Sequence, residues 1–160
     1  MEQIQPTKEH QWLGRLIGNW AWSHDAPQTD DARMTKVEGT ETYRALGSLW
    51  VQGEAVGPLP DGGMSVSQTT LTWDPARKRF AGTWVGSVMP YLWVYDGELD
   101  GDGRRLLLHS QGPAMDGTNA LIPYLDVIEF VDDNTRTLTG HTKAADGTWA
   151  PFMTVEYRRR

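Results

Sequence analysis

From residue 19 onward the chain is a succession of short period-two segments, each closed by a turn signal. The segments span about 19–24, 35–46, 49–57, 64–73, 79–87, 91–99, 104–112, 121–131, 135–144 and 149–158. Between them stand Asp61-Gly62-Gly63, Asp74-Pro75, Gly101-Asp102-Gly103, Asp116-Gly117, Asp133-Asn134 and Asp146-Gly147. Asp-Gly and Asn-containing pairs reach the positive φ angles of tight hairpins. About ten strands joined this way form an antiparallel up-and-down meander. An open sheet of that width would present two long edges, which invite aggregation, and closure removes them. The expected fold is all-β: a closed antiparallel up-and-down barrel of about ten strands. It is expected to occupy residues 1–160 as one domain.

One helix precedes the strands, over about 8–17. Thr7 can cap it, Trp12, Leu13, Leu16 and Ile17 fall at helical spacing, and Gly18 stops it. A short amphipathic helix of this kind is expected to cover one end of the barrel. Residues 25–34 are polar, hold Pro27, and read as a loop.

Composition narrows the function. The net charge is −6, and a phosphate backbone needs a basic field, so no nucleic-acid partner is expected. The one basic cluster, Arg158-Arg159-Arg160, is too short to outweigh the rest. Without Cys there is no disulfide, no thiolate metal site and no Cys nucleophile. Residues Met1 to Pro6 carry neither the basic flank nor the apolar run of a signal peptide. No stretch approaches the ~18 apolar residues of a membrane span. The expectation is a soluble cytoplasmic protein with no membrane partner. Eight Trp are many for this length, and several should line a core or a cavity.

Facing can be argued from the last two hairpins. A two-residue Asp146-Gly147 turn pairs Ala145 with Thr148. Counting back sets His141 opposite Phe152, Thr139 opposite Thr154 and Thr137 opposite Glu156. The Asp133-Asn134 turn pairs Asp132 with Thr135 and sets Asp126 opposite His141, Ile128 opposite Thr139 and Phe130 opposite Thr137. Cross-strand partners share a face. One face then holds Tyr124, Asp126, Ile128, Phe130, His141, Phe152, Thr154, Glu156 and Arg158. The other holds Leu125, Val127, Glu129, Met153, Val155 and Tyr157. A bulge in either hairpin inverts the assignment.

Gly18-Asn19-Trp20 with a late strand Arg resembles the calycin superfamily of lipocalin-like and fatty-acid-binding-like barrels. A closer resemblance, to the bacterial family of unknown function DUF1579, runs over nearly the whole chain. It is carried by His10-Gln11-Trp12-Leu13, Gly39-Thr40-Glu41 and Leu49-Trp50-Val51. It continues through Leu71-Thr72-Trp73-Asp74-Pro75, Gly82-Thr83-Trp84-Val85-Gly86-Ser87 and Leu92-Trp93-Val94-Tyr95-Asp96-Gly97. Asp126-Val127-Ile128-Glu129-Phe130, Phe152-Met153-Thr154 and Tyr157-Arg158-Arg159 complete it. The resemblance implies a lipocalin-like barrel, no established reaction, and an early Trp packed on a late Arg. With Trp20 on Arg158, the first face above is interior, and Trp20 and Trp22 join it. In the nitrobindins, a neighbouring barrel family, a His on the last strand in a Pro-His-Leu context ligates haem. The similar segment here is Ala150-Pro151-Phe152-Met153. Phe152 stands at the ligand position, so no haem or other cofactor is expected.

These readings predict a pocket with aromatic walls and a few polar groups. Its ligand-binding candidates are Trp20, Trp22, Trp84, Trp93, His109, Tyr124, Asp126, His141, Phe152 and Glu156. Met89, Pro90 and Tyr91 would edge its mouth. Asp126 could fix the tautomer of His141 in an acid–base dyad, or the two could form a satisfied buried pair with Glu156. His109, His141 and the carboxylates show no metal-ligand spacing, so no metal is expected. Asp100-Gly101-Asp102-Gly103 opens like a calcium loop but lacks the later ligands. Three functions stay open. The barrel binds a small apolar or aromatic molecule. Alternatively it is a cofactor-independent isomerase, cyclase or decarboxylase with His141 as base. Or it is a filled structural barrel, whose aromatic outer faces would suit a homodimer.

Overall fold

The computed structural model describes residues 2–28 and 31–160. One helix, α1 (Lys8–Gly14), is followed by ten strands. They are β1 (Gly18–Gln28), β2 (Asp31–Leu46), β3 (Trp50–Pro58), β4 (Met64–Asp74) and β5 (Arg79–Gly86). Then come β6 (Met89–Leu99), β7 (Arg105–Pro113), β8 (Leu121–Asp132), β9 (Thr135–Lys143) and β10 (Trp149–Arg159). Each strand pairs antiparallel with the next, and β1 pairs with β10, so the sheet closes as expected.

Two elements differ from expectation. The α-helical turns end at Gly14, and Leu16 and Ile17 sit in tighter turns bonded to Leu13 and Gly14. Residues 25–34 are not one loop: β1 and β2 run into them, pairing Asp25 with Lys36 and Ala26 with Thr35. Residues 29 and 30 lie outside the described residues. Pro27 is tolerated in β1 because β10 pairs with β1 only from Trp20 to Ser23. Beyond Ser23 that edge of β1 bears no ladder among the described residues, and a missing N–H costs nothing there.

The interior has two tiers. At the helix end it is sealed. Trp12, Leu13 and Leu16 press onto Trp20, Leu71, Phe80, Leu106, Leu108 and Phe130, all buried. Trp12 meets Phe80 and Phe130 edge-on, and its Nε1 donates to the Gly103 carbonyl at 2.6 Å. Each such side chain contributes about 1.5–3 kcal/mol by leaving water, so this tier anchors the fold. It also holds a charge. Arg136 of β9 is fully buried, with its guanidinium 3.7 Å from the Tyr157 ring centre and 4.6 Å from that of Trp20. Glu41 of β2 pairs with it. Neither ion would be tolerable alone at this depth.

Gly18 and Trp20 close the seam between β1 and β10. Gly18 has φ +131°, and a Cβ there would fall 2.5 Å from Nη1 of Arg159. Only glycine meets both demands. Arg159, not Arg158, is the partner of Trp20: the two are register partners, and the guanidinium lies 4.3 Å from the indole centre. Arg158 pairs with Ala21, and alternation turns it to the outside.

Candidate functional site

Two bulges decide what reaches the lumen. In β8 the register with β9 shifts between Phe130 and Asp132. Asp132 still faces Thr135, as the turn required, but Asp126 lies opposite Gly140, and His141 lies opposite Leu125. In β10 the register shifts between Pro151 and Met153, leaving Phe152 as the extra residue. Thr139–Thr154 and Thr137–Glu156 pair as expected, while His141 faces Pro151 rather than Phe152. The turn at Asp146-Gly147 is also longer than two residues. Lys143 pairs with Trp149, and Ala144 N–H donates to the Thr148 carbonyl. The bulge at Phe152 then cancels that offset.

The consequence is a partial inversion. Tyr124, Asp126, Ile128 and Phe130 of β8 do face inward. Their neighbours on β9 and β10, however, are Arg136, Leu138, Gly140, Val155 and Tyr157. His141 and Glu156 are outside. The His141 Nδ1 sits 3.1 Å from the Leu125 carbonyl oxygen, and Glu156 is exposed opposite Ser23. His109, register partner of Asp96 and Leu125, is outside too, paired with Glu98 and near Trp149. Asp126 and His141 therefore stand on opposite faces of the wall and form no dyad. Trp20 faces inward but lies in the sealed tier, 0% exposed.

The upper tier is built from the remaining candidates. Trp22, Trp84 and Trp93 face inward and stay half-buried, and Phe152 is 45% exposed at the rim. Each ring is seated against a glycine of the wall. A Cβ at Gly39 or Gly57 would fall 2.2 Å from the Trp22 ring. At Gly86 it would fall 2.3 Å from Trp84, at Gly112 2.1 Å from Trp93, and at Gly140 2.8 Å from Phe152. Mid-strand glycine here makes room for a ring. Tyr124 meets Trp93 edge-on at 5.0 Å and Phe152 at 6.1 Å. His24 stacks on Trp22, and Tyr91 packs on Trp93.

The polar groups of this tier converge below the rings. The Tyr95 hydroxyl donates to Oδ2 of Asp126 at 2.6 Å. Burial pushes the Asp126 carboxyl above its ordinary range, against the opposing pull of Tyr95 and of His141 across the wall. Burial and the Asp126 charge push the Tyr95 phenol well up. Ser110 Oγ is buried and has no hydrogen-bond partner. Ser110 faces inward, opposite Tyr124 and two residues from Leu108, the partner of Asp126. Beside it, among the described residues, ladder pairing between β6 and β7 ends at Asp96–His109. Tyr91 bridges the parted strands, donating to the Gln111 carbonyl at 2.7 Å.

Sequence reasoning did not single out Tyr95, Ser110, His24 or the Glu41–Arg136 pair. The glycines under the rings were the available signal: Gly57, Gly86, Gly112 and Gly140 interrupt strands where a side chain would otherwise pack. Two shallow concavities, of about 170 and 140 Å³, lie outside the lumen. One sits among Thr42, Arg44, Gln52, Glu54 and Gln68 on the outer face, the other beneath α1. Among the described residues no group of three His, Asp or Glu is placed to hold a metal ion, and no helix is long and apolar enough to cross a membrane.

Fold and site together define an up-and-down β-barrel sealed at one end, with an aromatic-walled lumen at the other. The chain belongs to the family of proteins of unknown function DUF1579, which it matches over residues 5–159. Among solved structures it is similar to the S-type phycobiliprotein lyase CPES from Guillardia theta. The TM-score is 0.57 and the identity 13%, over 98% of each chain. It is also similar to a redesigned β-barrel, mFAP0, bound to DFHBI. There the TM-score is 0.46 and the identity 12%, over 91% of this chain and 99% of that one. At 13% identity the likeness to the lyase is one of fold. No curated protein matches the sequence.

Proposed function

We propose that the protein binds a small, mainly aromatic molecule in the upper tier of its barrel. The observation that carries this reading is the seating of Trp22, Trp84, Trp93 and Phe152 against glycines of the wall. A core that fills itself buries its large side chains, whereas these four rings stay partly exposed. Tyr95 and Asp126 would orient the guest from below. A catalytic dyad is not part of the reading, because His141 lies on the other side of the wall from Asp126.

Native mass spectrometry of the purified protein, with identification of any co-purifying molecule, tests occupancy directly. Quenching of Trp fluorescence by 2-naphthol tests the site. We expect saturable one-site quenching, weakened about three- to tenfold in Phe152→Ala, the loss of about one aromatic contact. Absence of both a co-purifying molecule and saturable quenching refutes the reading.

A further inference from the structure

At the polar end of the lumen two oxygens, Asp126 Oδ1 and Ser110 Oγ, are left without a hydrogen-bond partner among the described residues. Tyr95 has one hydroxyl hydrogen, and it goes to Asp126 Oδ2. Oδ1 of the same carboxylate is left toward Gly140 and Phe152, 3.4 Å from where a Cβ of Gly140 would stand. Ser110 Oγ is buried without a partner. The interior cation, Arg136, lies in the sealed tier, paired with Glu41 and packed against Tyr157 and Trp20. Its Nε is also buried without a partner, but the guanidinium is enclosed by Trp20, Tyr43 and Tyr157 in the sealed tier. His24 is stacked on Trp22, which belongs to the wall. His141 acts on Asp126 only through the wall, since its ring nitrogen is held at the Leu125 carbonyl.

A half-buried carboxylate with one uncommitted oxygen is costly unless a donor or a cation meets it. The faces of Trp rings favour a cation for a separate reason, their negative quadrupole. The net charge of −6 raises the local concentration of cations at low salt and repels anions. Three independent features thus select the same guest.

We propose that the lumen selects a cationic aromatic molecule, a protonated amine or amidinium on a planar frame. Its N–H groups bond Asp126 Oδ1 and Ser110 Oγ while its rings lie among Trp22, Trp84 and Trp93. This rests on the binding reading above and adds the sign of the guest's charge. A fatty acid or other carboxylate is excluded by the same geometry.

The test compares three probes of one shape: 2-naphthamidine, 2-naphthamide and 2-naphthoate, titrated by calorimetry at pH 7 and low salt. The amidine should bind at least about tenfold tighter than the amide, the scale of one charge-assisted hydrogen bond. The naphthoate should bind weakest. Asp126→Asn should bring the amidine-to-amide ratio to within about threefold, and Ser110→Ala should reduce it by about threefold, one neutral hydrogen bond. Glu156→Gln, an exposed acid on the outer face, should leave the ratio unchanged. Naphthoate binding as tightly as the amidine overturns the proposal, and so does a ratio that survives Asp126→Asn. If 2-naphthol and all three probes fail to bind, the binding reading itself falls.

Discussion

Arg159 lies over Trp20, its guanidinium 4.3 Å from the indole centre, while its N–H groups donate to the carbonyls of Arg15, Ile17 and Asp133. One side chain thereby ties the exit of the helix, the turn between β8 and β9, and the seam between first and last strands. Removing it strands several carbonyls and uncovers the indole at once. We expect Arg159→Ala to destabilise by about 2–4 kcal/mol, from roughly three hydrogen bonds and one cation–π contact. Lys cannot reproduce the fork and should not rescue it. Arg158→Ala, on the outer face, should stay within about 0.5 kcal/mol. Urea denaturation of the three variants separates these outcomes.

Arg136 and Glu41 form the buried ion pair of the sealed tier. Burial raises the Glu41 carboxyl, and Arg136 opposes that shift. Arg136→Met leaves Glu41 unpaired and should cost about 3–5 kcal/mol. The double variant Arg136→Met with Glu41→Leu should recover most of that loss, because an apolar pair of similar volume needs no partner. A double-mutant cycle in urea measures the coupling, and additive losses would refute the pairing.

Asp126 gives the fold a pH dependence of definite sign. Its native carboxyl is raised by burial above the unfolded range. The folded state therefore holds the proton more tightly than the unfolded one. The stability this contributes is fully present below the unfolded pKa and is lost as pH rises through the native one. Asp126→Asn keeps an acceptor for Tyr95 and removes the charge. It should be more stable than the parent at pH 7, with the advantage shrinking as pH falls to about 4, the ordinary range of Asp. Thermal melts across pH 3.5–8 check this at about half-unit steps. A difference that grows toward low pH would contradict the assignment.

Gly112 and Trp93 share one volume. A Cβ at Gly112 would fall 2.1 Å from the ring, whereas nothing lies within 4 Å of a Cβ at Gly101. Gly112→Ala should therefore cost about 1–3 kcal/mol, the usual penalty of overpacking, and shift the Trp emission as the ring is displaced. Gly101→Ala should be close to neutral. Equal effects would mean that the ring is not seated on the wall.

The number of strands, their antiparallel order and closure were legible because turn residues and period two are local signals. So was the inward face of β8, where Tyr124, Asp126, Ile128 and Phe130 alternate with outward residues. What failed was register. The extra residue in β8 near Val131 and the one at Phe152 carry no compositional mark, since many side chains fit a bulge. One such residue moved His141 and Glu156 outside, and another brought Phe152 in. The choice of Arg158 over Arg159 has the same origin, because adjacent arginines in a strand face opposite ways and composition cannot distinguish them. Tyr95 was hidden for a different reason. Its inward position depends on pairings across β5 and β7, where the turns are less regular than in the last hairpins.

The seam has a consequence for how the protein is made. Arg159 meets the Ile17 carbonyl across 142 positions of sequence. At the usual pace of synthesis, about 5–20 residues per second, that gap takes roughly 7–28 s to traverse. Throughout that interval Trp20 and Trp22 have no partner strand on one side, and β9 has a bare edge until β10 emerges. Just before β10 emerges the nascent chain is an open nine-stranded sheet, prone to joining a neighbour on the same message. Chaperone demand should thus be concentrated before β10 emerges, and should fall once it closes the sheet.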